Sequence, residues 1–201
     1  MSNDISGGYD AHVEIAKAAI RAYVEKGDVI TVTGEGLRFP DGRQCRAPDI
    51  DAAPLLAERA GAFVSIKKLG ALRGCIGTIS PVQDNLAEEI VNNAISACSR
   101  DPRFDPVRRE ELADLNVSVD VLSEAEPVNS LSELDVIRYG VIVSKGYRRG
   151  LLLPNLEGVD SVEEQISIAL SKAGINPSEG YSVERFEVVR HELRGSMRDC
   201  C

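Results

Sequence analysis

Histidine is scarce in this 201-residue chain, which holds only His12 and His191. A nucleophilic cysteine or serine usually takes its proton acceptor from a histidine, so any such pair here has to be assembled by the fold from distant positions. Aromatic residues make up 4% of the chain, leaving little material for a base-stacking platform and disfavouring sequence-independent binding of single strands. There is no run of 18 apolar residues, and the first ten residues are polar and contain glycine rather than following the charged-then-apolar order of a secretory signal. The expectation is a cytoplasmic protein without a membrane span. The five cysteines, Cys45, Cys75, Cys98, Cys200 and Cys201, are odd in number and lack Cys-x-x-Cys spacing, so neither a disulfide framework nor a zinc knuckle follows. His191 with the adjacent Cys200 and Cys201 offers metal ligands, but paired cysteines in a polar tail bind metals adventitiously, and no metal is expected. Basic residues are outnumbered, with a net charge of −9, which excludes non-specific attraction to nucleic acid or anionic membranes as a whole-protein property. A local basic site stays open. No repeat of 20 to 50 residues and no low-complexity segment occurs, so the chain is not a solenoid.

What is present is an ordinary globular composition, 43% apolar and 27% charged, in a chain long enough to bury a core without disulfides. Val13, Ala16, Ile20, Tyr23 and Val24 recur at helical spacing between Asp10 and Gly27 and predict an amphipathic helix over residues 12–26. Glycines and prolines from Gly34 to Gly42 suggest an irregular arm or short hairpin between residues 28 and 54, followed by a brief helix through Leu55, Leu56 and Arg59. Two β-rich runs, 62–67 and 72–79, flank a short glycine-containing connection and read as a hairpin. A wide apolar stripe from Asp84 to Arg100 predicts a helix that includes Cys98 in its core, and Asp101-Pro102-Arg103-Phe104-Asp105-Pro106 breaks it. Val117, Val119 and Val121 alternate with Ser118 and Asp120, as in a half-buried strand. Strands follow over 137–144 and 150–153, then a helix opened by the capping box at Ser161 and ended by Gly174, then a last strand over 182–193. Short connections favour antiparallel pairing, so the expected class is α+β with a largely antiparallel sheet and flanking helices.

Three stretches carry chemistry. In Gly70-Ala71-Leu72-Arg73-Gly74-Cys75-Ile76-Gly77-Thr78-Ile79, strand alternation puts Arg73, Cys75 and Gly77 on one face, where the guanidinium favours thiolate and the glycines permit close approach to the sulfur. A small strand residue packed beside glycines is the structural alternative. Asp101 and Arg103 flank a proline that fixes the backbone, either presenting charges on a rigid loop or closing a helix with a surface ion pair. Arg148 and Arg149 alternate across a strand before Gly150-Leu151-Leu152-Leu153-Pro154-Asn155, so one of them can face a ligand. Arg73, Arg103 and Arg149 together would make an anion site if the fold brought them together.

Leu72-Arg73-Gly74-Cys75-Ile76-Gly77, preceded by Gly61-Ala62-Phe63-Val64 and followed by Asp101-Pro102-Arg103-Phe104 and Arg149-Gly150-Leu151-Leu152-Leu153-Pro154, resembles the AMMECR domain family. The family is named for the Alport syndrome, midface hypoplasia and elliptocytosis chromosomal region, and its microbial members are called AmmeMemoRadiSam system protein A. The resemblance runs from the first helix to the last strand. It implies one domain over residues 1–193, made of a larger and a smaller interleaved lobe with a cleft between them, and a polar tail over 194–201. Carried over, Cys75, Arg73 and Asp101 are candidate catalytic residues, and Gly74, Gly77, Arg103, Arg149 and Asn155 candidate substrate contacts. The residues after Leu153-Pro154, Asn155-Leu156, depart from the expected Gln-Val pair. The implied function is that of an enzyme or enzyme subunit modifying a nucleotide, nucleic acid or protein, with an anionic small molecule or nucleic acid as ligand. The alternative is a non-catalytic scaffold for a Memo-type or radical-SAM partner. The cofactor is left unassigned.

Overall fold

The computed structural model describes residues 10–45 and 51–192. The Asp10 carboxylate accepts hydrogen bonds from the His12 and Val13 amides and opens helix α1 (Ala11–Lys26); Gly27 closes it in the left-handed conformation at φ 75°. Val13, Ala16 and Ile20 form its buried stripe, as the spacing predicts.

Of the two expectations for the segment after α1, an irregular arm or a short hairpin, the structure bears out the hairpin and adds a third strand. Strands β1 (Thr31–Thr33), β2 (Gly36–Arg38) and β3 (Gln44–Cys45) make a three-stranded antiparallel meander. Val32, Leu37 and Cys45 are buried and anchor it to the core, so apolar alternation at three points outweighs the turn-rich composition. Helix α2 (Ala53–Ala57) follows and stops before Arg59.

The hairpin is β4 (Ala62–Lys68) and β5 (Ala71–Gly77), after which helix α3 (Leu86–Ser99) starts at an Asn85 side chain that accepts the Glu88 amide. Strand β6 (Leu115–Leu122) pairs antiparallel with the other side of β4, leaving β5 at the edge. Ala62, Val64 and Ile66 of β4 and Val117, Val119 and Val121 of β6 are buried on the face covered by α3. The register Cys75–Ser65–Ser118 and its neighbour Gly77–Phe63–Asp120 place the polar residues on the opposite face.

Strands β7 (Glu126–Pro127), β8 (Gly140–Lys145) and β9 (Arg148–Leu152) and helix α4 (Val162–Ala173) come next. The strand expected over 182–193 is two strands, β10 (Ser182–Phe186) and β11 (Val188–Glu192). β10 lies between β7 and β8 in a sheet of order β7-β10-β8-β9, whereas β11 flanks β6 in the sheet β11-β6-β4-β5. No glycine or proline interrupts the run from Ser182 to Glu192, and only pairing with two different sheets separates the halves. The predicted strand over 137–144 begins later, because Asp135 accepts the Ile137 and Arg138 amides in a turn that delays strand entry to Gly140.

The described chain is thus α+β with antiparallel sheets. Its described residues divide into two compact units, those up to 121 with 190–192, and residues 122–189. The first is built on α1, α3 and the β4 sheet, with a core that includes Ile15, Ile20, Ile66, Leu86, Ile90 and Leu115. The second packs α4 on β8 and β9 around Val141, Val143, Leu152, Ile166 and Leu170. The expected tail over 194–201 lies outside the described residues. No helix among the described residues is long and apolar enough to cross a membrane.

Candidate functional site

Because β5 is an edge strand, the backbone groups of Cys75 that face away from β4 have no strand to pair with. The Asp-Pro-Arg loop takes the place of one. Asp101 Oδ2 accepts the Cys75 amide at 2.8 Å, and Arg103 Nη2 donates to the Cys75 carbonyl at 3.2 Å. Arg103 also forks onto Asp101, with Nε to Oδ1 at 2.9 Å and Nη2 to Oδ2 at 2.7 Å, while its own amide donates to Oδ1 at 3.1 Å. The Asp101 side chain is 2% exposed and that of Arg103 54% exposed, so a buried carboxylate holds a guanidinium whose outer edge meets solvent. The Arg103 hydrogen bonds, opposed by burial and helped by the Cys75 and Arg103 amides, hold the Asp101 carboxyl well below the usual carboxylate range.

The sulfur lies on the polar face of the sheet. Ser65, directly opposite on β4, donates its hydroxyl to Cys75 Sγ at 3.3 Å. Arg103 is kept charged first by Asp101 and in smaller part by Cys75. Arg190 of β11 grips the buried Asp120 with Nε to Oδ1 at 2.7 Å and Nη2 to Oδ2 at 2.9 Å; its charge is favoured first by Asp120 and also by Cys75. A half-buried thiol therefore shares its face of the sheet with a hydroxyl and the Arg190–Asp120 ion pair, with the Arg103–Asp101 pair at the strand edge. Cys75 and Cys98 are the free thiols among the described residues, and burial pushes Cys98 up to about 11.

Arg73 does something other than what strand alternation suggests. Ile66 pairs with Gly74 but Lys67 pairs with Leu72, a bulge that leaves Arg73 as the extra residue and re-aims its side chain. The guanidinium forks onto Glu111, at 3.1 and 2.9 Å, and donates to the carbonyls of Asp105 and Pro106 at 2.8 and 3.3 Å. The Arg73 hydrogen bonds to Glu111 are the main cause that lowers its carboxyl from 4.5 to about 2, against burial and with help from the Arg108 amide and Lys68. Arg73 thereby fastens the loop that carries Asp101 and Arg103 to the strand that carries Cys75.

Gly74 is buried on the core face, where a Cβ would run into the Ala97 carbonyl of α3, and at Gly77 a Cβ would meet the Phe63 ring. The space beside these glycines is filled by the protein. Arg149 and Asn155 belong to the second unit: Arg149 pairs with Glu184 at 3.2 Å, and Asn155, at φ 51°, donates its amide to the Val136 carbonyl. The structure thus gathers Cys75, Asp101 and Arg103 around one strand edge, with Arg73 behind them. Sequence reasoning missed Ser65, Asp120, Arg190 and Glu111. Asp120 carried a signal, an acid on a strand otherwise of valines and small polar residues, but its partner is 70 positions away.

Both histidines lie elsewhere in this unit. His12 Nδ1 is 3.0 Å from Asp10 Oδ1, His191 Nδ1 is 2.7 Å from Asp10 Oδ2, and the two rings stack with centroids 3.6 Å apart.

The chain matches the AMMECR1 family model over residues 13–192. A protein of Clostridium acetobutylicum is 47% identical over 183 residues, which cover 91% of this chain and 36% of that protein. This chain therefore spans little more than a third of that relative's length. A Thermotoga maritima protein is 56% identical over 140 residues, 69% of this chain and 80% of the relative. Among solved structures, an uncharacterized protein from Pyrococcus horikoshii superposes with a TM-score of 0.75 at 31% identity, covering 93% of each chain.

Proposed function

The chain belongs to the AMMECR1 family, and we propose that it works as an enzyme or enzyme subunit that modifies a nucleotide, nucleic acid or protein through the Cys75 thiol. The observation that carries this reading is the clamp on Cys75. Its amide and carbonyl are fixed by Asp101 and Arg103 while its half-buried sulfur, outside any disulfide, accepts the Ser65 hydroxyl. That holds a nucleophile in one orientation beside a guanidinium whose outer edge is open to solvent. In this reading the Cys75 sulfur bonds to an electrophilic centre of the substrate as the bond from that centre to its leaving group breaks, the exposed edge of Arg103 binds the substrate's anionic group, and Asp101 and Arg73 position these two. Asp101 is a weak base, since both oxygens already accept hydrogen bonds and its carboxyl is held well below the usual carboxylate range. The proton of the thiol passes to water or to the substrate. The reading places the working protein in the cytoplasm.

Alkylation of the native protein by iodoacetamide, followed site by site by mass spectrometry, tests the reading. Cys75 is expected to react about tenfold or more faster than Cys98, with Arg103→Ala slowing Cys75. A Cys75 that is no faster than Cys98 removes the nucleophile.

A second reading, a scaffold for a Memo-type or radical-SAM partner, is favoured by one fact: the Clostridium relative carries this module within a polypeptide almost three times as long. Cys75→Ser separates the two. Lost pathway output with partner binding retained supports chemistry, and unchanged output supports the scaffold.

A further inference from the structure

The thiol site leaves the two histidines of the chain unused, although they lie 181 residues apart and the fold stacks their rings on one carboxylate. We propose that Asp10, His12 and His191 form a binding site for a divalent transition-metal ion of the zinc class, coordinated by the two imidazole Nδ1 atoms and a carboxylate oxygen. The donor set is the first argument. Two imidazoles and one carboxylate are borderline ligands that suit zinc and its neighbours and are poor for magnesium, which prefers oxygen.

Geometry is the second. Donor atoms in a tetrahedral site with bonds of about 2.0–2.1 Å are about 3.3 Å apart. The Nδ1 to oxygen distances are 3.0 and 2.7 Å, and one ligand atom from each of the three residues fits within 4.8 Å of the others. Turning each ring about its Cβ–Cγ bond out of the stack, so that both Nδ1 lone pairs meet at one point, and opening the triangle by a few tenths of an ångström makes it one face of a tetrahedron, leaving the fourth position to water or a ligand. Access is the third. The histidine side chains are 18% exposed and that of Asp10 28%, enough for an ion to enter yet sufficiently enclosed for its ligands to shed water.

The architecture gives the ion a consequence. His12 and Asp10 begin α1, and His191 lies near the end of β11, so one ion ties the first helix of this unit to its last strand. Binding to the folded chain alone stabilises it by mass action.

Zinc chloride titrated into the full chain is the test, read by calorimetry for stoichiometry and by thermal denaturation for stability. The background carries Cys200→Ser and Cys201→Ser, so that the tail cysteines contribute nothing. One ion per chain is expected, with a higher Tm that EDTA reverses and magnesium does not reproduce. Asp10→Asn keeps a good helix cap and is expected to weaken zinc on the order of tenfold or more, while His191→Ala abolishes the Tm increase. Circular dichroism of both variants confirms the fold. Absence of binding in this background, or binding unchanged in both variants, overturns the site and leaves the trio as a hydrogen-bonded clasp.

Discussion

Residues in the Cys75 site divide by what their hydrogen bonds leave free. Asp101 uses both oxygens, Arg73 is spent on Glu111 and two carbonyls, and only Arg103 keeps an open edge. Removing the buried carboxylate in Asp101→Ala leaves Arg103 and the Cys75 amide without their partner. It is expected to lower stability by about 2–3 kcal/mol in urea denaturation, the usual value of hydrogen bonds to a charged group. If Asp101 were instead a surface ion pair that merely ends a helix, the loss would stay below about 1 kcal/mol. The roles of Arg73 and Asp101 were hidden in the sequence for a plain reason. A motif shows which groups are near in the chain, but Glu111 lies 38 positions from Arg73 and Asp101 lies 26 from Cys75.

Elements were more legible than their internal contacts. Helices α1, α3 and α4 follow from apolar spacing between a capping residue and a stop signal, and the β4–β5 hairpin from two apolar runs around Gly70. The bulge at Arg73 escaped, because alternation assumes an unbroken ladder and one extra residue reverses the faces beyond it. Gly74 also acquires its meaning here, since α3 approaches β5 too closely for any side chain. Gly74→Ala is expected to force the helix from the sheet and cost about 1–3 kcal/mol. Thermal denaturation reads the loss, and faster hydrogen exchange at the β5 amides locates it. Gly146→Ala, with open space around it, would instead feel only its positive φ and is expected to cost about 1 kcal/mol.

At the scale of the whole molecule, acid stability follows from the same carboxylates. Asp101 and Glu111 have folded values below their ordinary ones, so the unfolded chain binds more protons than the folded one as the medium is acidified. Their contribution is complete above about pH 4.5, the ordinary Glu value, and is lost as the pH falls through it towards about 2, where Glu111 titrates in the fold. Urea midpoints measured between pH 6 and pH 3 are expected to fall with acid, and Glu111→Gln to flatten that fall while lowering the midpoint at pH 6. A midpoint of the parent chain independent of pH in this range would contradict the pairing.

The sequence by itself determined the class of fold, the order of the main helices and the hairpin, and the strand that bears Cys75, because these depend on period, caps and turns within a few residues. The family was also readable from its resemblance in four motifs, met in the family's order along the chain. Only the tertiary structure decided that the Asp101–Arg103 loop takes the place of a missing edge strand, that Arg190 reaches Asp120, and that His12 and His191 meet on Asp10. These are pairings of charged or polar groups across 26 to 181 residues, set by sheet order and burial, and no local pattern encodes which strand will be a neighbour.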